Sequence, residues 1–212
     1  MEEEIEDVEV EAEIGLCLLD NPTVIKWCHE PLTEDSLKTT SNQKKLKEAN
    51  KIETQWANEV IRHEEGTQWT TKLCQDLAME ALVAIGRKNV RNTIGIQSSV
   101  RNKKYKPDLE CDDFVYEVKG RSWTTPGTAG EKILGVPLKY GELPRLYGKP
   151  LRIILIGYQE YEAREMFAFG DLLDSSNQTQ ELKDTLAYFK EHDIEYVAFT
   201  DLLKKIKEEK YS

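Results

Sequence analysis

One run of residues constrains the fold more than any other part of the chain. Residues 151–157 read LRIILIG, an apolar stretch that contains a single charged residue. A strand this uniformly apolar is typical of a sheet that is covered on both faces, as sheets with parallel strands usually are. The run therefore predicts an α/β protein in which helices flank a β-sheet.

Changes of hydrophobic period along the chain place further elements around this strand. Apolar residues recur at helical spacing in some segments, and short stretches rich in β-branched and aromatic residues lie between them. The predicted helices span residues 42–63, 70–85, 131–146 and 180–191, with a last one from Asp201, and the predicted strands span residues 93–100, 107–110, 114–122, 151–157 and 194–199. This order predicts a mixed β-sheet. Residues 1–41 are interpreted as an acidic N-terminal segment of uncertain structure, and residues 42–212 as one domain.

The net charge of −10 is distributed unevenly along the 212 residues. Residues 86–152 carry 14 Lys and Arg against 7 Asp and Glu, a net charge of +7 that leaves −17 on the rest of the chain. Within them, residues 87–106 contain seven basic residues and no acidic one. Such asymmetry favours a basic surface for a polyanion, and an ordinary solvated charged surface is the alternative.

Other features of the sequence narrow the location and the chemistry. No apolar run is long enough to span a membrane, and the acidic start MEEEIEDVEVEAE is unlike a secretory signal. The four cysteines form no C-x-x-C pair and the three histidines are isolated, which argues against a zinc site or a disulfide framework. We therefore expect a soluble, intracellular, cytoplasmic protein with no membrane partner.

The residues that suggest chemistry lie on the predicted hairpin. A two-residue turn at residues 112–113 places Asp108 opposite Glu117, with Cβ atoms roughly 4.5–5.5 Å apart. Residues two apart on a strand share a face, so Lys119 joins Glu117 while Val118 points into the core. The sequence thus predicts that two carboxylates and one ammonium group converge on one face of the sheet.

This trio suits the hydrolysis of a phosphodiester. One or two carboxylates are enough to hold Mg²⁺, which keeps several waters. The ion acidifies an attacking water and stabilises the charge that develops on the phosphate, while a neighbouring Lys helps to orient or deprotonate the water. The basic surroundings would bind the phosphate backbone of the substrate. The alternative is a surface hairpin on which Glu117 and Lys119 form a simple ion pair.

The spacing of these residues resembles a known signature. Pro107-Asp108, followed nine positions later by Glu117-x-Lys119, resembles the motif of the PD-(D/E)XK nucleases, and the type II restriction endonucleases in particular. The resemblance covers roughly residues 66–200. It implies a restriction-endonuclease-like core, with Asp108, Glu117 and Lys119 as the catalytic residues.

The resemblance also implies a set of metal ligands. Asp108, Glu117 and the carbonyl of Val118 would bind Mg²⁺, with Mn²⁺ as a substitute. Many members of that family add a Glu from the preceding helix. Glu80 is favoured here because it sits beside the apolar stripe of that helix, and Gln75 or Asp76, one turn earlier, is the alternative.

Polar and basic residues after the motif are candidate DNA contacts. Those directly after the catalytic strand, and those on the next predicted helix, are placed to reach phosphates or base edges. The candidates are Arg121, Trp123, Thr124, Thr125, Lys132, Lys139 and Tyr140. For Trp123 itself, packing in the core is the favoured interpretation.

These observations predict a Mg²⁺-dependent type II restriction endonuclease that hydrolyses phosphodiester bonds in double-stranded DNA at specific sequences. Members of that class usually act as homodimers, because a two-fold protein matches a palindromic site. Two alternatives stay open. One is a structure-specific repair or junction-resolving nuclease of the same fold, and the other is a catalytically inactive DNA-binding module.

Overall fold

A five-stranded mixed sheet flanked by helices organises the chain, as the sequence predicts. The computed structural model describes residues 17–36, 42–61, 68–125, 128–169 and 178–210. Strands in this sheet follow the order β1-β4-β5-β6-β7, and β2 and β3 form a separate two-stranded hairpin. The strands are β1 (Arg91–Asn92), β2 (Ile96–Gln97), β3 (Lys104–Tyr105), β4 (Leu109–Glu110), β5 (Val115–Arg121), β6 (Leu151–Gly157) and β7 (Ile194–Ala198).

Helices cover both faces of the sheet. They are α1 (Pro22–His29), α2 (Gln43–Val60), α3 (Trp69–Ala84), α4 (Val136–Lys139), α5 (Leu143–Tyr147), α6 (Tyr158–Glu165), α7 (Gln180–Glu191) and α8 (Phe199–Lys210). Short 3₁₀ helices span Leu18–Asp20, Glu34–Ser36 and Thr128–Gly135. None of the helices in the described residues is long and apolar enough to cross a membrane.

The apolar run at residues 151–157 forms the strand that its composition predicts. Strand β6 spans Leu151–Gly157 and pairs in parallel with β5 on one side and β7 on the other. Ile154 contributes to the apolar cluster on the α3 and α8 face, and Leu155 to the cluster on the opposite face. A strand with an apolar cluster on each face needs apolar residues at every position, which explains the continuous run.

The hairpin of β4 and β5 has the predicted register. The backbone N–H of Cys111 donates to the carbonyl of Phe114 at 2.9 Å, which closes the two-residue turn. Leu109 pairs with Tyr116. The same register, continued by one residue, sets Asp108 opposite Glu117.

The structure corrects two predicted elements. Residues 131–146 do not form one helix: a 3₁₀ helix leads into α4, and α5 follows after a turn. Pro137 and Pro144 each lie in the first turn of their short helix, where the missing N–H costs nothing, whereas Pro in a helix interior would break it. The predicted strand 93–100 is reduced to β2, which pairs with β3 outside the main sheet.

The described part of the predicted N-terminal segment packs against the helices of residues 42–212. In α1, the Asn21 side chain caps the helix by accepting the N–H groups of Thr23 and Val24. Val24 and Trp27 are fully buried in the cluster that also contains Leu73 of α3. Residues 17–36 therefore share the core of the domain, and residues 1–16 of the acidic segment lie outside the described residues.

A buried carboxylate ties these N-terminal helices to the sheet. Glu53 of α2 accepts hydrogen bonds from Trp27 Nε1 at 2.7 Å and from the Trp123 N–H at 3.0 Å. It also accepts the N–H and the hydroxyl of Thr124, at 3.2 Å and 2.6 Å. One side chain thus fixes α1, α2 and the segment that leaves β5.

We expect Glu53→Ala to lower the free energy of unfolding by at least about 3 kcal/mol, because several buried donors lose their acceptor. Glu48→Ala, an exposed position of the same helix, should change it by less than about 0.5 kcal/mol. Urea denaturation followed by tryptophan fluorescence measures both. Equal effects of the two substitutions would show that Glu53 does not anchor these elements.

Candidate active site

Strand β5 presents Glu117 and Lys119 on one face, as predicted. The Lys119 Nζ forms an ion pair with Glu117 Oε1, and Val118 points the other way into the apolar cluster beneath α3. The side chain of Glu117 is 4% exposed, whereas that of Lys119 is 30% exposed. The carboxylate is thus buried, and the ammonium group lies at the surface of the site.

Asp108 lies just before β4 and is fixed on both carboxylate oxygens. Its Oδ2 accepts the backbone N–H of Val118 at 2.7 Å, and its Oδ1 accepts Gln75 Nε2 at 2.6 Å. The N–H and C=O of a strand residue point to the same side, so the Val118 carbonyl faces the side on which Asp108 lies. Asp108, Glu117 and the Val118 carbonyl are therefore brought together.

Glu80, the helix residue favoured from the sequence, is not brought to this group. Its carboxylate accepts the Leu19 N–H and the Cys17 thiol, both at 3.1 Å, and so binds the N-terminal 3₁₀ helix. The helix side chain that contacts Asp108 is Gln75, one of the alternatives. The two positions are five residues apart, roughly 140° around the helix axis. Asp76 forms an ion pair with Lys72 at 2.8 Å.

A close approach of helix and strand positions Gln75. Gly120 of β5 lies against α3, and a Cβ at this position would overlap the Cys74 side chain. The absence of a side chain lets α3 lie near β5, with Gln75 at the edge where β4 begins. Neither the motif nor the apolar stripe of α3 indicated this contact.

Burial dominates the electrostatics of Glu117. It raises the pKa of this carboxyl above its ordinary value, the positive charge of Lys119 acts in the opposite direction, and the negative charge of Asp108 adds to the increase. Glu117 Oε2 is buried and has no close hydrogen-bond partner among the described residues, although the Tyr140 side chain lies near enough to lower the pKa of Glu117 slightly. Burial and the charge of Glu117 likewise raise the pKa of the neighbouring Tyr140.

The donor set fits a hard divalent cation. Two carboxylates and one carbonyl are oxygen ligands, and Mg²⁺ in proteins binds one or two carboxylates and completes its shell with waters. The unsatisfied, buried Oε2 of Glu117 is a ligand atom that a cation would engage. Among the described residues no group of three His, Cys, Asp or Glu side chains is arranged to hold a metal. The candidate site therefore depends on two carboxylates.

A groove of about 610 Å³ adjoins the site. Lys119 lines it, and so do four of the predicted DNA contacts: Arg121, Thr125, Lys132 and Lys139. Lys132 and Lys139 are exposed. The structure therefore gathers these four side chains beside the catalytic candidates, on the face of the sheet that carries Glu117.

The other predicted DNA contacts are engaged inside the protein. Trp123 is buried and donates its indole N–H to the Trp27 carbonyl at 2.8 Å, and Thr124 is bound by Glu53. Tyr140 is also buried, and its hydroxyl accepts Lys139 Nζ at 2.8 Å. The structure therefore places Trp123 and Thr124 in the interior, and Tyr140 beside Glu117 of the candidate site.

Arg121 reaches the groove but is held by internal contacts. Its guanidinium forms an ion pair with Glu162, donates to the Thr125 carbonyl at 3.1 Å and lies over the Tyr158 ring. The residue is buried. Its structural role is to fix the segment that follows β5, which the sequence alone did not indicate.

We expect Mg²⁺ to stabilise the folded protein through Asp108 and Glu117. At about a hundredfold excess over Kd, binding adds about 2.7 kcal/mol, which raises the melting temperature of a chain of this size by roughly 5–10 °C. Differential scanning calorimetry measures the shift. Asp108→Asn and Glu117→Gln should abolish it, whereas Glu80→Gln should retain it. A shift that survives both site substitutions places the cation elsewhere.

The raised pKa of Glu117 also predicts a pH dependence. Burial penalises the ionised carboxylate, so protonation of Glu117 favours the folded protein. This contribution to stability is fully present below the pKa of Glu in the unfolded chain, and it is lost as the pH rises through the higher pKa of the folded protein. We expect Glu117→Gln to raise the free energy of unfolding at pH 8 in the absence of divalent cations, with the difference narrowing toward pH 4. Urea denaturation across this range, with Glu48→Gln as control, measures it. A difference that widens toward low pH contradicts the burial argument.

Comparison with protein-family models, curated proteins and solved structures finds no match for this chain.

Proposed function

We propose that the protein is a Mg²⁺-dependent endodeoxyribonuclease of the type II restriction class, which hydrolyses phosphodiester bonds in double-stranded DNA. The observation that carries the proposal is the convergence of Asp108, Glu117 and Lys119 beside a basic groove, with Glu117 Oε2 buried and unsatisfied among the described residues. An ordinary surface ion pair would not require a second carboxylate opposite the first, nor burial of the acidic partner.

The arrangement of elements around the site supports a restriction-endonuclease-like core. Helix α3 precedes the antiparallel strands β1, β4 and β5, and β6 is added parallel to β5. The resemblance to PD-(D/E)XK nucleases implies a helix, hairpin strands, a second helix and a strand, and here the short helices α4 and α5 take the place of the second helix. The central strand β5 then carries Glu117 and Lys119, and the start of β4 carries the preceding Asp.

Each residue of the site would have a separate role in phosphodiester hydrolysis. Mg²⁺, or Mn²⁺ in its place, would acidify a water and offset the charge of the scissile phosphate. Asp108, Glu117 and the Val118 carbonyl would hold the cation. Gln75 orients Asp108 by its hydrogen bond, and the low-dielectric surroundings of Glu117 strengthen its electrostatic interactions. Lys119 sits at the groove, where its ammonium group can orient the attacking water and neutralise a phosphate oxygen.

The groove suits a nucleic-acid backbone. Lys119, Lys132 and Lys139 place three positive charges along one cavity, and the backbone of duplex DNA is bound chiefly through such charges. A homodimer would set two of these sites across a palindromic duplex, since the two-fold symmetry of the protein would match that of the DNA.

We expect Asp108→Asn and Lys119→Ala each to lower the rate of DNA cleavage by at least about 100-fold, because the first removes a ligand of the cation and the second removes the ammonium group that acts on the water and the phosphate. Lys190→Ala, on α7 at the opposite edge of the sheet, is the matched control and should cut at the wild-type rate. The assay uses a fully sequenced plasmid with Mg²⁺, and with Ca²⁺ as the non-catalytic reference. Wild-type cleavage by both site variants would refute the site.

The fragment pattern separates the proposed class from the alternatives. Discrete fragments with ends at one repeated sequence support a restriction enzyme. Cutting confined to branched or distorted DNA identifies a structure-specific nuclease of the same fold. Plasmid that is bound but left intact in Mg²⁺ identifies a DNA-binding module.

A further inference from the structure

The β2–β3 hairpin carries several positive charges that are not neutralised by acidic side chains among the described residues. Arg101, Lys103, Lys104 and Lys106 are all exposed, and none forms an ion pair with a described residue. Two arginines earlier in the same stretch are paired, Arg87 with Asp113 at 3.5 Å and Arg91 with Glu110 at 2.9 Å. The contrast marks the hairpin as a surface whose charges are free for a partner.

An apolar side chain lies at the tip of this basic hairpin. Gln97 pairs with Lys104, and the Ser98 N–H donates to the Lys103 carbonyl at 3.0 Å, which places Val100 and Arg101 at the turn. Val100 is 78% exposed. An apolar residue at the outermost point of a charged hairpin contributes nothing to the core, but it can be buried by a bound partner.

The tip is held in one conformation by its own side chains. The hydroxyl oxygen of Ser98 accepts the N–H groups of Val100 and Arg101 at 3.3 Å and 3.0 Å. The Gln97 side-chain amide donates to the carbonyls of Arg101 and Lys103 at 3.0 Å and 3.1 Å. A hairpin fixed in this way loses little conformational entropy when it binds.

A carboxylate on a neighbouring segment anchors the hairpin to the body of the protein. Glu142, which precedes α5, accepts the hydroxyls of Ser98 at 2.6 Å and Tyr105 at 2.9 Å, and it also binds Ser99. The hydrogen bonds from Ser98 and Ser99 are the main cause that lowers the pKa of Glu142 to about 2. The anchor therefore stays ionised at any pH at which the protein would act.

The hairpin leads directly into the candidate active site. Lys106 is two residues before Asp108. The Tyr105 ring contacts the Tyr140 ring edge-on, with centroids 5.9 Å apart, and Tyr140 neighbours Glu117. The hairpin and the Lys119 groove therefore lie on one side of the sheet, so that one extended ligand can reach both.

We propose that residues 94–106 form an arm that binds duplex DNA beside the cleaved phosphate, with its four basic side chains on the backbone and Val100 in the major groove. The partner's identity rests on the proposed function. A two-stranded β-ribbon fits the major groove of B-form DNA, and an apolar side chain there contacts base edges such as the thymine methyl group. Four cations spaced along such a ribbon match the charge of the two phosphate backbones that border the groove.

The charge contribution is tested by the salt dependence of binding. A variant with Arg101→Gln, Lys103→Gln, Lys104→Gln and Lys106→Gln is titrated with a fluorescent 30-base-pair duplex in Ca²⁺, which supports binding without cleavage. Each lost phosphate contact makes the slope of log K against log salt less steep by about 0.9, so we expect a change of about 3 to 4. The matched control, with Lys183, Lys190, Lys205 and Lys207 all changed to Gln on α7 and α8, should keep the wild-type slope.

The apolar tip is tested separately. Val100→Ser should weaken duplex binding by about tenfold and leave the salt slope unchanged, because it removes apolar burial and no charge. Val83→Ser, at an exposed position of α3, should bind as the wild type does. Circular dichroism and melting temperature confirm that each variant is folded.

The outcomes distinguish this inference from the proposed function. If the hairpin variant and its control show equal slopes of log K against log salt, residues 94–106 do not bind the duplex, even where the wild type cuts DNA. Hairpin-dependent binding by a wild-type protein that never cuts DNA supports the arm and overturns the nuclease. A wild-type protein that binds no duplex in Ca²⁺ overturns the arm.

Discussion

A side-chain carboxylate, rather than a backbone carbonyl, completes the hydrogen bonding of the central strand, and the candidate site depends on it. Strand β4 pairs with β5 for only two residues, and the carbonyl of Pro107, just before β4, accepts the hydroxyl of Thr93 instead of an N–H of β5. At that point Asp108 Oδ2 takes the N–H of Val118. The carboxylate is thereby fixed to the strand that carries Glu117 and Lys119, so the spacing of the three groups is set by sheet geometry rather than by a loop.

The burial of Glu117 is costly for the fold and useful for the proposed chemistry. A carboxylate with one oxygen unsatisfied raises the free energy of the folded state, and Lys119 offsets only part of that cost because it lies nearer to solvent. Elsewhere the same protein satisfies its buried carboxylates: Glu53 accepts four hydrogen bonds, and Glu160 binds Thr200 and Arg164. A buried carboxylate oxygen without a close hydrogen-bond partner is expected where a residue is selected for function and not for stability.

The sequence was sufficient wherever a local rule decides the structure, and it was insufficient where packing between distant segments does. The β6 strand follows from its apolar run, and the opposition of Asp108 and Glu117 follows from a two-residue turn, since strand alternation then leaves no freedom. By contrast, the choice of Gln75 over Glu80 depends on how α3 approaches Gly120, and the burial of Thr124 depends on a carboxylate 71 residues away. The sequence pattern did not predict helices α1 and α6. Each of them contacts several other elements, so its buried residues do not form the single apolar stripe that identifies an amphipathic helix.

The net charge of residues 86–152 overstates the positive charge that a partner could meet, because some of the basic side chains form ion pairs within the protein. The net charge of +7 over residues 86–152 includes side chains that bind acidic partners within the protein, such as Arg87 with Asp113, Arg121 with Glu162 and Arg152 with Glu195. Exposed basic residues without such partners among the described residues include those of the β2–β3 hairpin and Lys132 and Lys139 beside Lys119, and also lysines of α2 and α8. Under the proposed function, the charges of the hairpin and the groove would attract a duplex to the side of the protein that carries the carboxylates. Apart from Lys119, which pairs with Glu117, the basic residues proposed to meet the substrate therefore differ from those that bind acidic partners within the protein.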